Sequence, residues 1–315
     1  MNTPLEKVLQ KLTIGIPVYN DKEFIEKTLD SCVHQAGHIL IYDNSSNDGT
    51  SEICTEYARK FPHIHHVRHD KNIGAYENFK RLLFDCQTPY FQWLGSHDIL
   101  GEGLTLQLLH ALEADPSAAM AFGRITWIDE KGTVRKKKSK LRYTEKMLSD
   151  SPFERMKFLL SHLRDCFIIY GVFRTELAQK SWPDVPCIGT DDAMLLKAAA
   201  LGKFIYVENV AFFARTFPVY RKDKDSRKRQ SAVLLDKDGN SSPPTLNRMV
   251  SQMIETVTAM PQYADNLAQG FHVFDSIRKR YLEPREERRK RRNRILFGLL
   301  LLLLLGFLYW QFFHN

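Results

Sequence analysis

Hydrophobic positions gather in short unbroken runs through the first third of the chain. "LTIGIPVYN" (Leu12–Asn20) is one; it stops at Tyr19 and Asn20. "HILIYDNSSNDGT" (His38–Thr50) is another, ending in a cluster of carboxylates, amides and hydroxyls. Runs of about 4–8 apolar residues bounded by turn formers read as strands buried on both faces. Between them the period changes. In "DKEFIEKTLDSCVHQ" the apolar positions Phe24, Ile25, Leu29 and Val33 recur at helical spacing, and in "DGTSEICTEYARKF" Ile53, Tyr57 and Phe61 share one face. "IHHVRH" then reads as a strand, "GAYENFKRLLFDC" as a helix and "YFQWLG" as a strand. This alternation predicts an α/β fold with a mostly parallel sheet and crossover helices. Ligands of open sheets of this kind bind at the carboxyl ends of the strands, so the polar clusters that end these runs are candidate site walls.

The pattern continues more loosely. "GLTLQLLHALEADP" predicts a helix, and "AAMAFGRITWIDEKGTV" a strand, a turn and a second strand. "SPFERMKFLLSHL" predicts a helix capped by Ser151, with Glu154 at capping-box spacing. "CFIIYGVFRTELAQK" runs from strand to helix, and "DDAMLLKAAALGKFIYVENVAFFARTF" from helix to strand. The 220–244 stretch is basic and polar and reads as a linker, and 247–281 as amphipathic helices.

Charge changes the picture only locally. The net charge of +8 and pI ≈ 9.1 invite a nucleic-acid reading. Yet Arg278–Arg294 alone carries ten Lys/Arg against three Glu, so the basicity belongs to one segment and no nucleic acid is expected as a partner. That segment is followed by Ile295–Phe313, 19 residues without a charge. As a helix it would be ~28 Å long, matching a hydrocarbon core of ~30 Å. Tyr309 and Trp310 stand at its far end, where an interfacial belt belongs. These features predict a single-pass tail anchor in the inner membrane with the body on its cytoplasmic face and membrane lipids as partners. The opening "MNTPLEKVLQKL" has no signal-peptide pattern. Five scattered cysteines without a C-x-x-C pair fit free thiols in a reducing compartment. The expected domains are 1–219, a 220–284 basic loop and amphipathic helical segment, a 285–294 juxtamembrane segment and a 295–313 transmembrane helix.

The chemistry-bearing residues exclude several classes. No G-x-G-x-x-G follows the first strand and no G-x-x-x-x-G-K-[ST] occurs, which removes ordinary dinucleotide and P-loop readings. The alternation of His63, His65, His66 and His69 fits a strand better than a metal site. What remains is a spaced acidic series: Asp43, Asp98 and the pair Asp191/Asp192.

Taken together, "IGIPVYN…IYDNSSNDGT…NIGAYENF…YFQWLGSHDIL" resembles the family 2 glycosyltransferases of GT-A fold, strongly over Leu12–Leu100 and more loosely over Tyr170–Arg215. The resemblance implies a nucleotide-binding set of Pro17, Tyr19, Asn20, Asp43, Asn72, Gly74, Asn78, Ser96, His97 and Arg215. A strand-tip carboxylate such as Asp43 can accept from the ring N–H of a uracil-like base. Asp48 is expected to brace its turn. "WLGSHDIL" stands where the family keeps its D-x-D type motif, reduced here to Ser96, His97 and Asp98. Asp98 and His97 are therefore the implied ligands of Mn²⁺ or Mg²⁺, the imidazole favouring Mn²⁺. Asp191 matches the catalytic base of inverting members, with Asp192 in reserve. The implied activity is transfer of a hexosyl-type sugar, from a UDP-linked donor, to a membrane-associated glycan such as one carried on a polyprenyl diphosphate. The alternative, prompted by the reduced motif, is an inactive GT-A module serving as a membrane scaffold. No Q-x-x-R-W signature occurs, so chain polymerisation with export is not expected.

Overall fold

The computed structural model describes residues 4–135, 145–163, 166–217 and 246–282. The expected linker, the basic juxtamembrane segment and the apolar 295–313 run lie outside the described residues. Among the described residues no helix is long and apolar enough to cross a membrane.

The first half alternates as the pattern predicts: α1 (Pro4–Leu9), β1 (Leu12–Val18), α2 (Ile25–Cys32), β2 (His38–Asp43), α3 (Thr50–Lys60), β3 (Ile64–Arg68), α4 (Ala75–Phe84) and β4 (Tyr90–Trp93). Then come the short β5 (Ile99–Leu100), α5 (Leu104–Ala114) and the long β6 (Ala118–Ile128). After α6 (Pro152–His162) a 3₁₀ turn (Phe167–Tyr170) leads into β7 (Val172–Arg174), α7 (Thr175–Ser181), α8 (Thr190–Leu201) and β8 (Lys203–Arg215). The Ser151 hydroxyl caps α6 as expected, accepting from Glu154 N at 3.4 Å. The chain continues through α9 (Leu246–Thr258), α10 (Gln262–Asp265), α11 (Leu267–Ile277) and a π-helical turn (Arg278–Leu282).

One eight-stranded sheet has the order β3-β2-β1-β4-β7-β6-β8-β5. The β3-β2-β1-β4 half is parallel throughout, so the carboxyl ends of these four strands lie along one edge. The other half keeps the sheet mostly parallel but adds two reversed strands. β7 runs antiparallel to both β4 and β6, and β5 antiparallel to β8, while β6 and β8 are parallel. β7 enters from a 3₁₀ turn and not from a crossover helix, and an antiparallel neighbour needs no crossover.

The sheet is covered on both faces. Every residue of β1 is buried. Along β4, Phe91 and Trp93 join one core, and Tyr90 the other; Phe173 and Val172 divide in the same way on β7. The first core also holds Phe153, Met156 and Leu159 of α6, Leu195 of α8, Met249, Met253 and Val257 of α9, and Val273 and Ile277 of α11. The helices after residue 245 therefore share a core with α6 and α8, across the domain boundary expected at 219.

Candidate active site

The exits of β1 and β2 are tied to each other. Asn20, at φ 53°, accepts from Asn47 N at 2.9 Å through Oδ1 and donates its own N–H to Ser46 Oγ at 2.9 Å. Asp48 accepts from Thr50 N at 3.0 Å and Lys22 N at 3.2 Å, the expected bracing role. An open groove of ≈ 460 Å³ lies alongside, lined by Asn20, Asp21, Lys22, Glu23, Phe24 and Asp48. Tyr19 beside it is 40% exposed.

Asp43 ends β2 with 0% exposure, which corrects the expectation of a carboxylate open to ligand. Its Oδ1 accepts from Ser46 N at 2.8 Å because the chain turns back over it. Oδ2 has no hydrogen-bond partner; His66 Nε2 and Arg68 Nε stand at 3.9 and 3.8 Å. Burial alone would raise its pKa, but the nearby His66 ring and the Ser46 donors outweigh burial and hold it at about 2.

Of the other residues expected at the nucleotide, Pro17 and Asn78 are buried, and Asn72 and Gly74 shape a turn beside the β2 exit. Pro17 is buried within β1. Asn78 is 2% exposed, donates to Tyr42 O at 3.0 Å and has His69 Nε2 3.0 Å from its Oδ1, so its amide braces α4 against β2. Asn72 Oδ1 accepts from Asn44 Nδ2 and Gly74 N, both at 2.9 Å, with Gly74 at φ 82°. Asn72 and Gly74 thus form a turn clasped to the β2 exit. His63, His66 and His69 face separate partners: Val33 O at 2.8 Å, Thr55 Oγ1 at 3.1 Å and Asn78.

At the β4 exit, Gly95–Asp98 forms a tight turn closed by Asp98 N to Gly95 O at 2.9 Å. A Cβ on Gly95 would sit 2.5 Å from Asp98 Oδ2, so only glycine allows this packing. Asp98 is 1% exposed; Oδ1 accepts from Arg215 N at 2.7 Å, and Oδ2 has no partner. Burial raises its pKa to about 6 against the opposing charges of His97 and Arg215. His97 Nδ1 lies 3.6 Å from Asp21 Oδ2, which also accepts from the Ser96 hydroxyl. For His97, burial favours the neutral ring, yet hydrogen bonding to Asp21 and the Asp98 charge prevail and raise its pKa. Asp98, His97 and Asp21 supply donor types that suit a divalent metal, with one Asp98 oxygen buried and unpaired, but their donor atoms do not all lie within 4.8 Å of one another as the turns stand. Asp21 was missed in the sequence; its signal is an acid one residue beyond the strand-exit asparagine.

Arg215 corrects another expectation. Its guanidinium is committed to three carbonyls, His97 O at 2.7 Å, Asp129 O at 2.8 Å and Glu130 O at 2.7 Å, and lies over the Phe24 ring. Through Nε and Nη1 it braces the turn that carries Asp98.

Asp191 and Asp192 stand in the first turn of α8, where the helix dipole favours negative charge. Their carboxylates and Cys166 Sγ lie within 4.8 Å of one another. Asp192 Oδ1 also receives Arg280 Nη2 at 3.2 Å, a contact 88 residues apart with no local pattern that marks it. The 3₁₀ turn joins the two acidic centres: Cys166 at its start meets the pair, and Tyr170 Oη at its end is 3.7 Å from where a Gly95 Cβ would be.

The arrangement is a parallel half-sheet with acids and amides along its carboxyl edge, and the comparisons agree with it. The profile described as Glycosyl transferase family 2 matches residues 13–182, and the chain belongs to that family. It is 30% identical over 121 residues to the glycosyltransferase AglE of Haloferax volcanii, covering 32% of this chain and 40% of AglE. It is 33% identical over 98 residues to the abequosyltransferase RfbV of Salmonella typhimurium, covering 29% of each. The chain spans less than half the length of the curated relatives it matches. Its fold is similar to that of TarS residues 1–349 from S. aureus, solved in complex with UDP-GlcNAc. The TM-score is 0.53 at 14% identity, over 88% of this chain and 92% of that one.

Proposed function

We propose that this protein is an inverting glycosyltransferase that moves one sugar from a UDP-linked donor to a membrane-associated glycan. The observation that carries this reading is the unpaired, buried Asp98 Oδ2 beside His97 and Asp21, at the edge where the parallel strands end. Family membership and a solved structure of the same fold holding UDP-GlcNAc support it.

Tyr19 and Asn20 on one side and the Asn72–Gly74 turn on the other flank the nucleobase, and Asp43 Oδ2 is the acceptor offered to its ring N–H. Because Asp43 and Asp98 are both covered, binding moves the turns above them. Asp98, His97 and Asp21 would hold a divalent cation, which when bound supplies positive charge against the diphosphate leaving group. Asp191 takes the proton of the acceptor hydroxyl as that oxygen attacks the anomeric carbon. The new C–O bond forms opposite the one that breaks, and the electron pair leaves with the nucleoside diphosphate.

A hydrophobic anchor at 295–313 beside the basic segment would hold body and acceptor in one thin layer at the cytoplasmic face, raising their effective concentration. Full-length protein in a carbonate-washed soluble fraction would remove the anchor. The donor reading is tested by thermal stabilisation with a panel of nucleoside diphosphates, with and without Mn²⁺. UDP with Mn²⁺ should give the largest shift, and no shift with any nucleotide would overturn the reading.

A further inference from the structure

Two adjacent carboxylates in one helical turn pose a question that the reaction alone does not answer. If both faced the acceptor they would share a proton, and neither would be a dependable base near neutral pH. The π-helical turn Arg278–Leu282 treats them differently. Arg280 is 18% exposed and donates through Nη2 to Asp192 Oδ1 at 3.2 Å and through Nη1 to Leu160 O at 2.8 Å. Leu160 is in the last turn of α6, whose carbonyls carry the negative end of that helix. One guanidinium thus links the carboxyl end of α6 to the amino end of α8, beneath the Tyr281 ring at 5.1 Å.

Apolar side chains close over the Asp192–Arg280 ion pair. The space around the ion pair is lined by Leu159, Leu160, Leu163, Leu195 and Leu196 and measures ≈ 10 Å³. That is room for about one water and too little for a sugar ring. Asp191 is the neighbour for which the structure records no ion pair with Arg280.

We propose that Arg280 is a positioning residue that divides the acidic pair, fixing Asp192 as its ion-pair partner and leaving Asp191 to receive the acceptor proton. This rests on the reading of Asp191 as the base. Every charged or titratable group facing the pair enters the argument. Cys166 comes from the 3₁₀ turn, Cys187 and, through it, Arg248 of α9 come from the side of the loop before α8, and Arg280 and Tyr281 come from the π-helical turn. Burial and the charge of Asp191 raise the Asp192 pKa to about 6, with Arg280, Tyr281 and Cys166 opposing. Removing Arg280 takes away the counter-charge, so the pair retains a proton to higher pH.

The test is the pH profile of kcat/KM for the full chain with UDP-sugar donor, in the parent, Arg280→Gln, Arg280→Lys, Asp192→Asn and the Arg280→Gln/Asp192→Asn double variant. The acidic limb should move up by about one pH unit in Arg280→Gln and by less in Arg280→Lys, with donor KM unchanged. In Asp192→Asn the limb should move down, because the like charge is gone, and Arg280→Gln added to it should shift the limb far less than it does alone. An Arg280→Gln limb that stays in place, or moves equally with and without Asp192, overturns the proposal, even if Arg280→Gln only lowers the yield of folded protein. Separately, an active Asp191→Asn with an inactive Asp192→Asn would overturn the assignment of the base itself.

Discussion

Asp43→Asn removes one charge and little else: the amide oxygen can still accept from Ser46 N, which lies 2.8 Å from Oδ1. The carboxylate it replaces has no solvent exposure and a pKa lowered from the ordinary 3.8 to about 2. Burial works against that lowering, and the nearby His66 ring and the Ser46 donors produce it. By linkage the ionised group contributes up to about 2 kcal/mol at pH 7, and nearer 1 once solvent around the half-exposed Arg68 screens the cluster. The sign follows from the depressed pKa: the contribution is present above the unfolded pKa and is lost as pH falls through about 2. Urea denaturation should therefore show Asp43→Asn about 1–2 kcal/mol less stable at pH 7, with the gap roughly halved at pH 3. The same variant should bind UDP about tenfold more weakly, since a charge-assisted acceptor becomes a neutral one. An equal stability gap at both pH values would refute the electrostatic reasoning. Unchanged UDP affinity would refute the contact with the base.

Asp98 has the opposite sign. Its raised pKa, about 6, means that stability without metal declines as pH rises through that value, and Mn²⁺ must displace the proton. Mn²⁺ affinity by calorimetry should rise steeply between pH 5 and 7 and vanish in Asp98→Ala; a flat profile would place the metal elsewhere. Arg215→Ala should cost about 2–3 kcal/mol in urea denaturation, because three part-buried carbonyls lose a shared charged donor, and Arg215→Lys should not restore it. Full stability with weakened UDP binding would instead return Arg215 to the diphosphate.

The parallel half of the sheet was legible because its strands are continuous apolar runs separated by helices of clear period, and β1 is buried along its whole length. The half with the reversed strands was not. β7 is three residues long and carries no periodicity that separates it from a crossover strand. In the site, the sequence placed Asn20, Asp98 and the acidic pair at element ends, where the structure also has them. It could not show that Asp43 and Asn78 turn inward. An acid followed three residues later by serine reads alike whether its carboxylate meets a ligand or its own turn. Arg215 looked exposed because it is a charge, yet it continues the buried face of "AFFAR" with its head on carbonyls. The pairing of Arg280 with Asp192 joins distant segments through tertiary packing alone.

The central claim, transfer of a sugar with Asp191 as base, is tested most directly by the nucleoside diphosphate released from UDP-sugars when membranes containing acceptor are added to the parent and to Asp191→Asn. The parent should release UDP in step with sugar incorporation. Asp191→Asn should lose about 10²–10⁴-fold in rate while still binding donor, because an amide keeps the size of the side chain but cannot take a proton near neutral pH. Equal rates in the two proteins, or donor binding with no release from any nucleotide sugar, would contradict the account and leave the fold as a nucleotide-binding scaffold.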